Sequence, residues 1–276
     1  PRAIPVLKDL IGSPHPVIGR LAVQALGRIG TPECVALLVD AMGHPTSSVR
    51  GQAALALVGL REAALDAVLR VLASDNRPQR ENAAHVLSEW GEFGLPGILH
   101  AAASQNPIER WMACLSLHIL ARKQPAALTD QARSTLITAL DDEDPRVRRV
   151  AASAESDVRD AAAVPALIAR LTDPDRQVRR NCAHALAAIG QPALEAVLES
   201  LRATDDVWTM ENLGRALGVM GGAAVERVTD LVRDPNPVVR RAAGVALAAS
   251  GSPSALRGAA MLARDDDDLV VSAGMG

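Results

Sequence analysis

The chain has 276 residues, enough for one large domain or two small ones. Its composition, 49% hydrophobic and 22% charged, is typical of a chain that folds around a core and argues against intrinsic disorder. Only 1% of the residues are aromatic, which disfavours a β-sandwich or barrel, and the formal net charge of −3 disfavours a general nucleic-acid binder. No apolar run reaches the roughly 18 residues of a membrane-spanning helix, so we expect no membrane association.

A pattern of about 30 residues repeats along the chain, and residues 173–190 show it most completely. The column of Arg179 recurs at intervals of 30 or 31 residues, apart from one interval of 38 residues that contains an extra stretch around 122–130. In chain order this column holds Gly19, Arg50, Arg80, Arg110, Arg148, Arg179, Met210, Arg240 and Val271.

Each period predicts two helices. The second follows a loop, and its apolar residues at i, i+4, i+8 and i+11 (Val178, Cys182, Leu186 and Ile189) lie on one helical face. Gly190 then ends this helix. A unit of two short helices cannot cover its own apolar face, so neighbouring units must stack. The sequence therefore predicts one all-α solenoid over residues 1–276, with about eight two-helix repeats and a partial ninth. The first helices are amphipathic runs at 4–7, 35–38, 65–69, 164–168 and 194–198.

The pattern D-P-x-x-x-V-R-x-x-A-A-x-A-L-x-x-I-G in residues 173–190 resembles the HEAT repeat, particularly the bacterial phycobilisome-lyase HEAT-like repeat. This resemblance covers essentially the whole chain and implies a right-handed superhelix. It also implies that a loop Asp and the following Arg form a hydrogen-bonded ladder between adjacent repeats. We therefore expect Arg148, Arg179 and Arg240 to be poorly exposed and bonded to Asp side chains or loop carbonyls near the next repeat.

Two irregularities carry their own predictions. The 38-residue interval predicts a loop after Gln124, because Pro125 disfavours helical geometry at the residue before it. Glu155 occupies a column that elsewhere holds Leu, so we expect its helix to rotate or to end early. The alternative at Glu155 is a polar notch that receives a cationic group of a partner.

Both chain ends lack the polar outer face of a capping repeat, which suggests a fragment or disordered termini. Residues 269–275 read as the start of a ninth second helix. The three cysteines, far apart in sequence, cannot all pair with one another, which predicts a reducing, cytoplasmic compartment.

Signatures of catalysis and cofactor binding are missing from the sequence. It contains no glycine-rich phosphate loop, no G-x-S-x-G and no C-x-x-C. No His is followed by Glu, which excludes the HEAT-like hydroxylase that holds iron through His-Glu pairs. We therefore expect no catalytic residues, no metal and no cofactor. Bilin lyases share this repeat type, so a lyase-like or enzyme-regulatory protein is the alternative function.

What remains is the surface of the second helices, which the resemblance places on the concave side of the solenoid. Trp and Arg dominate interface hot spots, so this surface predicts a protein or peptide partner. Its candidate residues are Asn82, His85, Trp111, Met112, Arg149, Arg180, Asn181, His184, Trp208, Asn212 and Arg215.

The predicted function is a non-enzymatic scaffold or adaptor for a protein or peptide, with its oligomeric state left open. Two other interpretations of the surface stay open. One is an ordinary solvated helix face, in which each Trp packs against a neighbouring repeat. The other is a nucleic-acid interface, which would require a contiguous basic stripe.

Overall fold

The computed structural model describes residues 3–252, 255–263 and 265. Within these residues every regular element is a helix. The chain divides into two compact units, Pro1–Thr135 and Leu136–Gly276. The predicted second helix of the ninth repeat, at 269–275, lies outside the described residues.

The first unit is a two-layer stack of helix pairs. Even-numbered helices contact one another in sequence, α2 with α4, α4 with α6 and α6 with α8, and odd-numbered helices do the same from α1 to α7. The helices are α1 (Ile4–Ile11), α2 (Pro16–Ile29), α3 (Pro32–Ala41), α4 (Ser47–Leu60), α5 (Leu65–Arg70), α6 (Arg77–Glu89), α7 (Leu95–Ala102) and α8 (Pro107–Lys123), followed by α9 (Asp130–Ala139), within which the unit ends.

The second unit repeats this arrangement. Helices α10, α12, α14 and α16 contact one another in order, while α11 contacts α13 and α15 contacts α17 on the other layer. The helices are α10 (Pro145–Val158), α11 (Val164–Ala169), α12 (Arg176–Ile189), α13 (Gln191–Ala203), α14 (Val207–Met220), α15 (Gly222–Asp230), α16 (Pro237–Ser250) and α17 (Ala255–Leu262). The predicted α-solenoid architecture, eight helix pairs and the first helix of a ninth, is confirmed.

Most second helices begin at an Asn or Asp whose side chain accepts a hydrogen bond from a backbone N–H of the first turn. Such a cap is worth about 1 kcal/mol, which explains the recurring Asp or Asn before these helices. In the first two repeats His15 and Thr46 occupy this position and make no such bond. The capping residues are Asn76, Asn106, Asp144, Asp175, Asp206 and Asn236.

Where the repeat column holds arginine, that side chain joins the second helix to the loop before it. In every case Nη1 donates to the backbone carbonyls six and five residues earlier in the chain. The arginines are Arg50, Arg80, Arg110, Arg148, Arg179 and Arg240.

The predicted bridge to the next repeat is confirmed at two of its three positions. Nε and Nη2 of Arg148 donate to the Asp173 carboxylate at 2.7 and 3.0 Å. The same atoms of Arg240 donate to Asp265 at 2.7 and 2.9 Å. Arg179 differs, because the face of its guanidinium lies against an indole ring of the next repeat, that of Trp208.

The predicted break after Gln124 is confirmed. Helix α8 ends at Lys123, Gln124 has an extended φ of −139°, and a short 3₁₀ turn follows at Pro125–Ala127. Residues 124–129 therefore lie between two helices and absorb the additional length of this repeat.

The expectation for Glu155 was wrong. Helix α10 runs to Val158 without rotating the carboxylate outward, and Glu155 is fully buried. Arg159 then takes the left-handed conformation, with φ 56° and ψ 40°, that glycine adopts at the corresponding helix end at Gly30. The Leu column is therefore a core column even where it holds a carboxyl group.

Candidate functional site

Four of the predicted surface residues belong to α6 and α8 of the first unit, and two of them serve the fold. Met112 is fully buried, so its side chain belongs to the core and the prediction that it lines the surface was wrong. The Asn82 amide donates to the backbone carbonyls of Met42 (3.1 Å) and Pro78 (2.7 Å). It therefore links α6 to the preceding repeat instead of facing a partner.

The other two residues of this unit remain at the surface. His85 is exposed, and the ring of Trp111 is partly exposed with the Arg80 guanidinium 5.6 Å from its centroid. Desolvation, followed by the charge of Lys123, lowers the pKa of His85 against the opposing effect of nearby glutamates. The His85 imidazole is therefore mainly neutral at pH 7.

In the second unit, the predicted amides also make hydrogen bonds inside the protein, Asn181 to the preceding repeat and Asn212 within its own helix. Asn181 donates to the Arg149 carbonyl at 2.8 Å and accepts from Gln177 at 2.7 Å. Asn212 is almost completely buried, donates to the Trp208 carbonyl at 2.9 Å and accepts from Arg215 at 3.2 Å. Both amides are therefore engaged within the fold, which corrects the prediction that Asn181 and Asn212 bind a partner.

Arg149 is exposed but committed to an ion pair. Its Nε donates to the Asp175 carboxylate at 2.9 Å, and its Nη2 also contacts that carboxylate. Together with the backbone N–H groups of Gln177 and Val178, this pair lowers the pKa of Asp175 to about 2. Arg149 thus connects α10 to the loop before α12.

The remaining predicted residues converge on a cleft between α12, α14 and α16, which we call the arginine cleft. It is open to solvent and has a volume of about 660 Å³. Five of the predicted site residues line it, together with six residues that were not predicted to bind a partner. The lining consists of Arg176, Arg179, Arg180, Ala183, His184, Trp208, Asn212, Arg215, Val219, Ala249 and Ser250.

Trp208 is the most exposed large apolar side chain of the arginine cleft, with 49% of its surface accessible. One face of its ring packs against Arg179, whose guanidinium carbon lies 5.0 Å from the ring centroid. Arg179 is itself fixed by the carbonyls of Asp173 (2.7 Å) and Pro174 (3.1 Å). This cation–π contact orients the indole and leaves much of it accessible.

The lining of the arginine cleft is cationic, because it includes four arginines and no carboxylate. Glu211 pairs with Arg215 at 3.0 Å from the same helix. Arg176 and Arg180 are exposed, and within the described part of the chain neither forms an ion pair or side-chain hydrogen bond. Two guanidinium groups are therefore available to a ligand.

Neither Arg176 nor Arg179 was predicted to bind a partner, and Arg179 was assigned to the ladder between repeats. A signal for the first was present, since Arg176, Arg180 and His184 are four residues apart and lie on one stripe of α12. No comparable signal identified Val219, Ala249 and Ser250, whose position depends on how α14 packs on α16.

Two glycines set that packing. A Cβ on Gly214 would lie 2.4 Å from the Cα and the carbonyl oxygen of Ala246, and one on Gly218 would lie 2.3 Å from the Ser250 carbonyl oxygen. No side chain fits at either position, so the backbones of α14 and α16 approach closely. This contact places Ala249 and Ser250 in the lining of the arginine cleft.

A second cleft of about 590 Å³ lies on the other layer of this unit, between α13 and α15. It has a mixed lining of acidic, basic and apolar residues and contains none of the predicted site residues. Arg227 in its wall forms a two-point ion pair with Glu195, at 2.8 and 3.1 Å. The arginine of this second cleft therefore already has an ion-pair partner.

Across the described residues, no group of three or more His, Cys, Asp and Glu side chains is placed to hold a metal ion. In the same part of the chain, no helix combines the length and the apolar character needed to cross a bilayer. The three cysteines are buried, and burial raises the pKa of the Cys182 thiol to about 12.

The two layers of helix pairs and the cleft on the second-helix layer define a helical-repeat protein with a cationic, aromatic surface site. A sequence profile of HEAT repeats matches residues 1–92, 133–218 and 198–275. The chain therefore belongs to the HEAT-repeat family. The finer resemblance to the phycobilisome-lyase type stays a prediction.

Solved structures with a similar fold include two engineered proteins. One is 20% identical with a TM-score of 0.45, over 99% of this chain and 87% of that protein. The other is 18% identical with a TM-score of 0.40, over 90% of this chain and 96% of that protein.

A third similar chain is 15% identical, with a TM-score of 0.52. It belongs to a structure described as Kap95p binding that induces the switch loops of RanGDP to adopt the GTP-bound conformation. That alignment covers 97% of this chain and 43% of the other, and at this identity it shows the fold alone. No curated protein sequence matches the chain.

Proposed function

We propose that the protein is a non-enzymatic interaction scaffold or adaptor that binds a protein or peptide in the arginine cleft. The observation that carries the proposal is the half-exposed Trp208 ring, which Arg179 holds in place inside a cationic cleft. HEAT-repeat solenoids commonly act as protein-interaction scaffolds, which supports this class of function.

The exposure of Trp208 costs the folded chain burial free energy. Apolar surface left in water forgoes about 25 cal/mol per Å², so a partner that covers the indole recovers that stabilisation. Because Arg179 already orients the ring, less side-chain entropy is lost on binding than for a mobile tryptophan. Trp and Arg are also the residues in which interface hot spots are richest.

The shape and chemistry of the arginine cleft suit a chain segment. Its lining offers guanidinium donors, an imidazole, an indole and short apolar side chains. Donors of this kind bind backbone carbonyls and side-chain oxygens, while the indole and Val219 contact apolar groups. Four of the predicted residues keep a partner-binding role in this proposal, namely Arg180, His184, Trp208 and Arg215.

The test uses a displayed library of random 12-residue peptides, selected on the purified chain. We expect selected peptides whose affinity falls about tenfold or more with Trp208→Ala or Arg180→Glu, a loss of at least 1.4 kcal/mol. The melting temperature of both variants should stay close to that of the wild type, because neither side chain is buried.

Arg202→Glu is the matched control. Arg202 is exposed on α13, lies outside the arginine cleft and gives the same change of charge. If selected peptides bind the Trp208 and Arg180 variants as tightly as the wild type, the arginine cleft is not the docking surface. An empty selection would also count against the proposal.

A further inference from the structure

We infer that the arginine cleft selects an acidic peptide segment, one in which carboxylate side chains flank an apolar side chain. This inference rests on the proposed function and adds the chemical class of the partner to it. The charge on the lining and the arrangement of that charge around Trp208 carry the argument.

Part of the positive charge of the arginine cleft is not neutralised by the fold. Arg176 and Arg180 lie one helical turn apart on α12, and both are exposed without an ion-pair partner among the described residues. Like charges at i and i+4 on a helix repel each other by a few tenths of a kcal/mol, so this pair does not stabilise the helix. A carboxylate placed between them would remove the repulsion and could accept hydrogen bonds from both.

The geometry of the guanidinium groups also favours a carboxylate as the bound group. Guanidinium groups bind carboxylates through two parallel N–H donors, a geometry that a neutral amide or a hydroxyl reproduces less well. Arg215 of α14 also lines the arginine cleft, where its Nη1 donates to Asn212 at 3.2 Å and its Nη2 donates to Glu211 at 3.0 Å. Cations on α12 and α14 therefore face the same space, and an acidic segment can contact both helices.

The arginine cleft also offers a place for an apolar side chain of the peptide. The accessible part of the Trp208 ring lies in the same cleft as Val219 and Ala249. An aliphatic or aromatic side chain can pack there while its neighbours in sequence reach the arginines. This pairing of an apolar contact with cations favours a peptide over a simple anion.

The surroundings disfavour a nucleic acid. Asp205 and Asp206 immediately precede Val207 and Trp208 in the chain, and Glu211 follows on the next turn of α14. A phosphate backbone charged at every nucleotide would meet these carboxylates where it leaves the arginine cleft, and the formal net charge of the chain is −3. A short acidic stretch can place its charges only where the arginines are.

The experiment compares three pools of random 12-residue peptides that carry Glu, Gln or Lys at the same four positions. Binding of each fluorescent pool to the full chain is measured by anisotropy at low and high salt, with a 12-nucleotide single strand as the fourth probe. We expect the Glu pool to bind at least tenfold more tightly than the Gln pool, the Lys pool not to bind, and the Glu affinity to fall with salt.

Variants assign the effect to the arginine cleft. Arg176→Glu and Arg180→Glu should each weaken the Glu pool at least tenfold, while the Gln pool changes little and Arg202→Glu changes either pool less than twofold. Equal binding of the Glu and Gln pools would overturn the inference, and so would an equal loss with Arg202→Glu or an oligonucleotide that binds more tightly than the Glu pool.

The two proposals fail separately. If library selection yields neutral peptides that depend on Trp208, the docking surface stands and the acidic specificity is wrong. If the Glu pool binds with the expected dependence on Arg176 and Arg180 but Trp208→Ala has no effect, the acidic specificity stands. The role assigned to the indole in the proposed function is then wrong.

Discussion

Arg148 and Arg149 are neighbours on α10, and each one binds an aspartate of the following loop. Their environments differ. The Asp173 side chain is fully buried and that of Arg148 only 11% exposed, whereas the Arg149 side chain is 44% exposed beside Asp175. Removing one member of a buried pair leaves an uncompensated charge, whereas an exposed pair is screened by water.

Arg148→Ala is therefore expected to lower the free energy of unfolding by about 3 kcal/mol, because it leaves the Asp173 carboxylate without its two-point donor. Arg149→Ala, the matched control, should cost less than about 1 kcal/mol. Urea unfolding followed by circular dichroism measures both. Similar losses in the two variants would mean that burial does not decide the strength of these bridges.

The Asp175 carboxylate predicts a pH dependence of stability. Its pKa in the folded chain, about 2, lies below the ordinary value of 3.8. The ionised form therefore stabilises the fold fully above about pH 4, and this contribution is lost as the pH falls towards 2. Asp175→Asn keeps a capping side chain and should make the loss of stability between pH 4 and pH 2 smaller by about 1 kcal/mol.

Urea titrations at several pH values between 5 and 2 test this prediction. The difference between wild type and Asp175→Asn should shrink as the pH falls, because protonation removes the same charge from the wild type. A difference that stays constant with pH would assign the effect of the substitution to packing.

At the scale of single residues, sequence reasoning succeeded where helical geometry alone decides. Arg180, His184 and Arg215 project from stripes that the repeat pattern fixes, and they reach the arginine cleft. Met112 follows Trp111 directly, and a rotation of about 100° per residue turns it into the core. Asn181 looks like a surface donor in the sequence, but its amide binds the Arg149 carbonyl that packing of the preceding repeat brings near it. Asn212 is almost completely buried, which depends on how the helices pack.

Among the elements, α14 and α16 approach each other backbone against backbone at Gly214 and Gly218. The repeat pattern predicts both helices and their order because apolar spacing and loop residues are local signals. It does not predict that Gly214 and Gly218 bring the two backbones together, since a glycine within a helix has several explanations.

Gly214→Ala and Gly218→Ala should each lower the free energy of unfolding by about 1–3 kcal/mol, because an added methyl group meets backbone atoms that cannot move independently. Gly51→Ala in α4 is the control. Apart from its chain neighbours and the backbone of its own helix, no atom lies within 4 Å of its Cβ position, and alanine should raise stability there by up to about 1 kcal/mol.

Thermal and urea unfolding of the three variants make the comparison. The prediction would be wrong if Gly214→Ala and Gly51→Ala changed stability in the same direction. Peptide binding by the Gly218 variant adds a second measurement, because Val219 and Ser250, beside this contact, line the arginine cleft.

For the molecule as a whole, each repeat is stabilised by its neighbours in the stack. An internal helix such as α8 buries residues along its length, whereas α1 buries only Ile4. Exposed apolar side chains accordingly gather in the first repeat, at Val6, Val17 and Leu21. Solenoid stability is close to a sum of such neighbour contacts, so local stability should vary along the chain.

Hydrogen exchange measured by mass spectrometry tests this variation inside the first unit. We expect the amides of residues 4–11 to exchange at least about tenfold faster than those of residues 112–121, since fewer buried contacts oppose local opening. Equal protection of the two segments would show that the first repeat is stabilised by contacts other than core burial.

The glycine contact between α14 and α16 also has a mechanical consequence for the arginine cleft. Where the backbones of α14 and α16 touch, no side chain lies between them that could change its rotamer. The wall formed by these two helices is therefore stiff. The opposite wall, α12, meets α14 partly through the stacked side chains of Arg179 and Trp208 instead of backbone against backbone, and packed side chains permit a small sliding of one helix along the other while they stay stacked. Adjustment to ligands of different size should therefore occur by shear of α12 along α14, while α14 and α16 move as one body.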